Sequence, residues 1–317
     1  MKVHLLDGTY ELFRHHYGVP ARAAREAREA RAAREARESQ EAREPTQDER
    51  EEVAAAHGVV WSVVGLLESG VTHLGVATDH VIESFRNDLW PGYKSSAGVP
   101  EALLAQFGLV EDALAALGVT VWPMVELEAD DALAAAALAA STDPAVEQVV
   151  IMTPDKDLAQ SVRGSRVVQL DRRREVVTDE DGVIARYGVE PTSIPDWLAL
   201  VGDSSDGFPG LPGWGAKAAA AVLRRYRHLD QVPEHPWRWE VDVRGAVKLA
   251  AVLSEQRQQA LLFRRLATLV TDVALFDHVD QLRWRGPRPE LEDMAGRLRA
   301  PGLVARVSAL AARRDGS

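Results

Sequence analysis

Three short, mostly apolar runs constrain this chain more than anything else in it: Val3–Leu6, His73–Ala77 and Gln148–Met152. Each stops at a polar turn, respectively Asp7-Gly8, Thr78-Asp79 and Thr153-Pro154-Asp155. Apolar runs without a polar alternation are the pattern of strands covered on both faces. Helical patterns lie between them, from about Val53 through Leu67, over Glu101–Leu117 and over Ala132–Ala140. Strands alternating with helices predict a parallel α/β sheet. Ligands of such sheets sit beyond the carboxyl ends of the strands, which is where Asp7, Asp79 and Asp155 fall.

After Asp171 the texture changes. A short strand is expected in the RRREVV stretch, followed by helices at Asp179–Tyr187, Ile194–Val201, Ala216–Tyr226 and Gly245–Ala267. The expected division is residues 1–170 and residues 171–317. The run Ala132–Ala140 is too short to cross a bilayer, and the first ten residues carry no secretory pattern. Cysteine is absent from the 317 residues, which excludes disulfide staples, zinc–thiolate sites and thiol nucleophiles. The expectation is a cytoplasmic protein with no membrane partner.

Besides Asp7, acidic residues gather at four places: Glu128-Ala-Asp130-Asp131 at a helix start, Asp155-Lys-Asp157 after a strand, Asp203-Ser-Ser-Asp206 in a glycine-rich turn, and Asp79 at a strand end. Each alone is also a good helix cap or turn residue. Together they are costly, because packed like charges raise one another's pKa. A divalent cation removes that cost. Oxygen donors without cysteine or clustered histidine select hard ions, Mg²⁺ or Mn²⁺. Two such ions are the usual device for cleaving a phosphodiester in line. On a helix Glu128 and Asp131 share a face, and Asp130 points about 100° away from Asp131.

The net charge of −11 argues against a general nucleic-acid coat, although acids gathered in one metal site leave the remaining surface nearer neutral. Only five of the 37 basic residues are lysine. Arginine suits bidentate phosphate contacts, but coding bias produces the same excess. Residues 21–44 hold seven Arg and six Glu with no large apolar residue. Arginine every three residues drifts around a helix, so the segment has no buried stripe and is expected to be a solvated, frayed helix. A flexible arm on nucleic acid is its alternative reading.

In order along the chain stand LLDGTYELFR, FRNDLWPGYK, VELEADDALA, IMTPDKDLAQ and LALVGDSSDGFPGLPGWGAKAA. This series resembles the bacterial and phage 5′-nuclease family, which includes flap endonucleases and the 5′-3′ exonuclease domain of bacterial DNA polymerase. The resemblance covers most of residues 3–226. It implies a resolvase-like, PIN-like α/β sheet flanked by helices, followed by a helical domain with a helix-three-turn-helix. Its metal carboxylates would be Asp7, Asp79, Glu128, Asp130, Asp131, Asp155, Asp157, Asp203 and Asp206.

Residues Phe85–Gln106 look like the family's helical arch. There Arg86 and Lys94 match basic positions at the scissile phosphate, and Tyr93 matches an aromatic that stacks on a base. Ala97 stands where the family usually has a second basic residue. Pro209–Lys217 resembles the family's glycine-rich turn. Gly210, Gly213 and Gly215 would let backbone amides approach a phosphate, Lys217 would add a charge, and K⁺ would bind backbone carbonyls. Arg224, Arg225 and Arg227 would extend a basic strip. The Arg/Glu-rich insertion at about 21–50 has no counterpart. The expected activity is that of a stand-alone, monomeric 5′-3′ exonuclease or flap endonuclease, used in primer removal, replication or repair. Its partner would be DNA with a 5′ flap or 5′ end, or an RNA primer in a hybrid. A PIN-type RNA nuclease and a non-catalytic nucleic-acid-binding relative are the alternatives.

Overall fold

A computed structural model describes residues 1–18 and 47–315; the Arg/Glu-rich stretch at 21–44 lies outside the described residues. The first strand, β1, is Lys2–Asp7. Residues 8–18 (α1) and Gln47–Glu68 (α2) are helical. They are followed by β2 (His73–Asp79), the short helices α3 (Phe85–Leu89) and α4 (Glu101–Leu104), α5 (Gln106–Ala116) and β3 (Thr120–Met124). Helix α6 (Ala129–Thr142), β4 (Gln148–Met152), β5 (Val167–Asp171) and β6 (Val176–Thr178) complete the sheet region.

The sheet order is β3-β2-β1-β4-β5-β6. The first five strands run parallel, and β6 turns back antiparallel on β5. Leu6 stands opposite Val76 on one side and Met152 on the other. The order therefore reverses between β1 and β4, and a crevice opens there beyond the strand ends. Alternate residues of the central strands serve two cores, as the pleat requires. Leu6, Val150 and Met152 face α2 and α5, whereas Val3, Leu5, Val149 and Ile151 face the alanine-rich side of α6.

A second core is built from α7 (Glu180–Tyr187), α8 (Ile194–Val201), α9 (Ala216–Tyr226), α10 (Ala246–Glu255) and α11 (Arg257–Ala267), around Leu198, Phe208, Trp214, Leu223 and Phe263. The last helices, α12 (Leu291–Arg297) and α13 (Leu303–Asp315), return to the first core, where Met294, Leu303 and Val307 pack with Val63, Leu67 and Leu114. Among the described residues no helix is long and apolar enough to cross a membrane.

Three expectations change in detail. The RRREVV stretch is mostly a turn: Asp171 Oδ1 accepts the N–H groups of Arg173 and Arg174 at 3.0 and 3.1 Å, and only Val176–Thr178 pairs as a strand. The helix expected over Gly245–Ala267 breaks at Gln256, whose backbone is non-helical (φ −108°, ψ 24°). The arch is helical only at its two ends, α3 and α4, with irregular chain over 90–100. Pro91, Gly92, Gly98 and Pro100 account for this, since proline and glycine interrupt helices.

Candidate metal centre

Four aspartates from four elements line one cavity of about 560 Å³: Asp7, Asp79, Asp130 and Asp155. Local chemistry orients each. Asp7 ends β1, where its Oδ1 accepts the Tyr10 N–H at 2.8 Å and its Oδ2 accepts the Thr153 hydroxyl at 2.9 Å. Gly8 follows because β1 presses on β2 there; a Cβ at Gly8 would lie 2.7 Å from the Thr78 side chain and 2.9 Å from the Ala77 carbonyl. Asp79 ends β2 and accepts the Ala129 N–H at 2.7 Å, tying the start of α6 to the sheet edge. Asp155 Oδ1 accepts the Asp157 N–H at 2.9 Å. Tyr10, Phe13, Ile82 and Val99 form an apolar side of the same cavity.

Beside the cavity lies a second group. One carboxylate oxygen each from Asp157, Asp203 and Asp206 lies within 4.8 Å of the others, and all three residues are buried. Asp157 Oδ1 is buried with no hydrogen-bond partner. Asp203 and Phe208 exchange backbone bonds of 2.8 and 3.0 Å, which close the Asp203–Phe208 turn. Gly207 has φ +81°, and a Cβ there would collide with the Gly92 carbonyl at 1.9 Å. That contact, with the Trp90 indole N–H on the Gly207 carbonyl at 3.0 Å and the Lys94 N–H on the Asp206 carbonyl at 3.1 Å, staples residues 90–94 to the turn. Lys94 Nζ then sits 2.7 Å from Glu128 Oε2 and 3.3 Å from Asp206 Oδ1.

The electrostatics are those of a crowded anionic site. Burial, then the charges of Asp79 and Asp155, pushes Asp7 up to about 7. Burial and Asp155 hold Asp130 well above the usual carboxylate range, and burial with Asp155, Asp206 and Asp203 does the same to Asp157. Asp79 and Asp206 are also raised by burial, with Lys94 opposing. Burial alone would raise Glu128 too, but Lys94 and Arg86 hold it below its ordinary value. Hard oxygen donors, a buried carboxylate oxygen without a partner and mutually raised pKa values are what a divalent cation would relieve.

Several expected site residues are engaged in contacts within the protein. Arg86 is 1% exposed. Its Nε donates to the Leu266 carbonyl at 2.8 Å, its Nη1 to Glu128 Oε1 and Asp131 Oδ2, and its Nη2 to Asp131 Oδ1 and the Thr268 carbonyl. Every nitrogen of the Arg86 guanidinium thus has an acceptor within the protein. Asp131, its partner, also accepts the N–H groups of Glu128 and Val270, so all of its lone-pair directions are used within the protein. It braces the start of α6, and Asp130 is the residue that reaches the cavity. Tyr93 is 5% exposed, with its hydroxyl 3.3 Å from both Glu128 Oε2 and Asp206 Oδ2. Glu128 is the hub that joins Arg86, Lys94, Ser84 and Tyr93.

In the glycine-rich turn Gly210 is buried, with φ +70° and a would-be Cβ 2.3 Å from Gly202 N; its role is internal packing. Gly213, Gly215 and Lys217 are exposed, and nothing in the protein lies within 4 Å of a Cβ built at Gly215. Trp214 anchors the turn through its indole N–H on the Leu249 carbonyl at 3.3 Å. Arg225 pairs with Glu240, and Arg227 with Glu190 at 3.1 Å, whereas Arg224 donates to the Gly188 carbonyl at 3.3 Å. Lys156 and Arg186, which line the cavity, escape a sequence reading that looks for acids. The one available signal for Lys156 is its place between Asp155 and Asp157.

A resolvase-like sheet with carboxylates gathered at its switch point, followed by a helical domain, defines the scaffold of a 5′-nuclease. The profile of the 5′-3′ exonuclease N-terminal resolvase-like domain matches residues 2–188, and that of the 5′-3′ exonuclease C-terminal SAM fold matches residues 189–290. The chain belongs to the 5′-3′ exonuclease family. Over 216 residues it is 38% identical to DNA polymerase I of Pseudomonas aeruginosa, a match covering 65% of this chain and 23% of the polymerase. It thus spans about a quarter of the length of that relative. Over 217 residues it is 36% identical to the flap endonuclease Xni of Edwardsiella ictaluri, covering 66% of this chain and 79% of Xni. Its fold is similar to that of the T5 5′-exonuclease solved with bound zinc, with a TM-score of 0.62, 16% identity and 98% of each chain covered.

Proposed function

We propose that this chain is a structure-specific 5′-nuclease that hydrolyses DNA phosphodiesters at 5′ flaps or 5′ ends, acting as a cytoplasmic monomer in primer removal, replication or repair. The observation that carries this reading is the convergence of Asp7, Asp79, Asp130 and Asp155 on one cavity, with Asp157, Asp203 and Asp206 beside it. The first four would hold one divalent ion, Mg²⁺ or Mn²⁺, and the other three a second. Such ions lower the pKa of an attacking water and stabilise the leaving oxygen. Lys94 lines the cavity and would meet the non-bridging oxygens of the scissile phosphate as their charge builds.

Duplex DNA would rest on the turn at Gly213 and Gly215, where open space above the backbone and the uncapped start of α9 suit a phosphate. Lys217 would add its charge there, and K⁺ would sit on the turn's carbonyls. The terminal nucleotides would unpair to bring one phosphate into the cavity, whose apolar side would pack against them. An RNA primer strand is a substrate under the same reading. The sheet with its flanking helices, including the returning α12 and α13, would form the nuclease unit, and the helical part built from α7–α11 would carry the duplex contact.

The test is a labelled 5′-flap duplex with Mg²⁺, run with wild type and Asp155→Ala, beside single-stranded RNA. Flap cutting that needs Mg²⁺ and vanishes in the variant is the expected result. Preferential RNA cutting would point to a PIN-type nuclease, and binding without cutting to a non-catalytic relative; either overturns the proposal.

A further inference from the structure

Lys156 lines the cavity without a part in the proposed reaction, and its side chain is not idle. Its Nζ lies 2.6 Å from Asp203 Oδ1. That carboxylate is 2% exposed, and the same oxygen accepts the Ser205 N–H at 2.9 Å. The two sequence neighbours of Lys156 divide between the two acidic groups: Asp155 lines the cavity and Asp157 belongs to the buried trio. Lys156 therefore projects its ammonium onto the trio from the boundary between them.

The two groups are not electrostatically equal. Among the described residues no ion pair reaches Asp7, Asp79, Asp130 or Asp155, although Lys94, Lys156 and Arg186 line the same cavity at longer range. In the trio, Asp203 holds the Lys156 ammonium, and Asp206 shares Lys94, which stands closer to Glu128. A fixed positive charge a few ångström from a cation site repels a dication twice as strongly as a monovalent ion, and burial lowers the screening. The trio still has the features of a cation site, since Asp157 Oδ1 is buried there without a partner.

We infer that Lys156 sets the affinity of the Asp157, Asp203 and Asp206 group for a divalent cation, holding it below that of the four-aspartate cavity, so that two ions load in order. The inference rests on the metal-centre reading above. Its physical content is that Lys156 is an internal competitor: it stabilises the trio by supplying one charge, and the same charge weakens the site for a dication. The concentration at which the second ion enters is then a property of this side chain. Lys156 is a positioning residue for metal, and its effect is visible without any DNA.

The test uses Mn²⁺ alone, titrated calorimetrically into the full-length protein at low ionic strength. Wild type is expected to show a tighter and a weaker class of site, and Asp203→Asn should remove the weaker one. Lys156→Met, which keeps the length of the stem, should tighten the weaker class by roughly tenfold or more and move the tighter class by clearly less, since Lys156 touches only the trio directly. Lys156→Arg should behave as wild type. Lys156→Gln is run alongside, with melting curves of all variants, so that a packing defect in one variant does not decide the outcome. A weaker class that stays unchanged or loosens in both neutral variants overturns the role of Lys156 and leaves the metal-centre reading standing. Absence of Mn²⁺ uptake in wild type sinks that reading and this inference together.

Discussion

Arg86 grips Asp131 through two bonds, Nη2 to Oδ1 at 2.7 Å and Nη1 to Oδ2 at 2.8 Å, across 45 residues of sequence and out of reach of water. The pair joins the start of the arch to the start of α6, and the carbonyls of Leu266 and Thr268 close it from the helical domain. Asp130 can reach the cavity because its neighbour is held from behind.

Arg86→Ala would strand Asp131 and Glu128 as buried charges. Losing one partner of a buried ion pair costs about 3–5 kcal/mol. Urea unfolding should show that loss. A variant that kept wild-type stability while losing only cleavage would instead restore Arg86 to a phosphate-contacting role.

The carboxylates make stability depend on pH and metal together. Asp7, raised to about 7, and Asp130 and Asp157, held well above the usual carboxylate range by burial, keep protons in the folded state that they release when unfolded. The folded protein then binds more protons than the unfolded chain above the unfolded pKa of roughly 4, so stability falls as pH rises from there toward 7. For Asp7 alone the limit is ~4 kcal/mol. Melting temperatures in EDTA should drop between pH 5 and pH 8, and saturating Mg²⁺ should flatten or reverse the trend. A flat profile in EDTA would mean that these acids are already compensated.

Gly210 and Gly215 should separate by function. Gly210→Ala meets backbone at 2.3 Å in a left-handed conformation and should lower the melting temperature markedly. Gly215→Leu meets open space. It should melt near wild type while weakening duplex binding, read by fluorescence anisotropy, by about tenfold or more. Equal binding in Gly215→Leu would move the duplex off this turn.

Lys94→Met removes the cation between Glu128 and Asp206 and the charge nearest the proposed phosphate position. The single-turnover rate on a flap substrate should fall by about 10²-fold, the usual cost of losing one group that stabilises transition-state charge. Metal-dependent residual cutting should survive, because the seven aspartates remain. An unchanged rate would leave Lys94 a structural counterion only.

Much of this architecture is legible in one dimension. The runs ending at Asp7, Asp79 and Asp155 become neighbouring parallel strands and the loop beyond them, because an uninterrupted apolar run is stable only when covered on both faces. Strands β3 and β5 escape such a reading. The first contains Pro123, and the second is half-polar and ends in a turn that Asp171 nucleates.

By itself the sequence determined which residue types stand at the sheet's carboxyl edge and that a divalent cation is the economical answer to so many acids. Tertiary structure alone decided that Asp130 faces the cavity while adjacent Asp131 is spent on Arg86, that Tyr93 is enclosed, and that Lys156 rests on Asp203. Helical spacing sets the angle between neighbouring side chains. Which angle points at solvent depends on segments far along the chain, here Leu266–Val270 and the turn at Gly207, and no local pattern encodes where they come to lie.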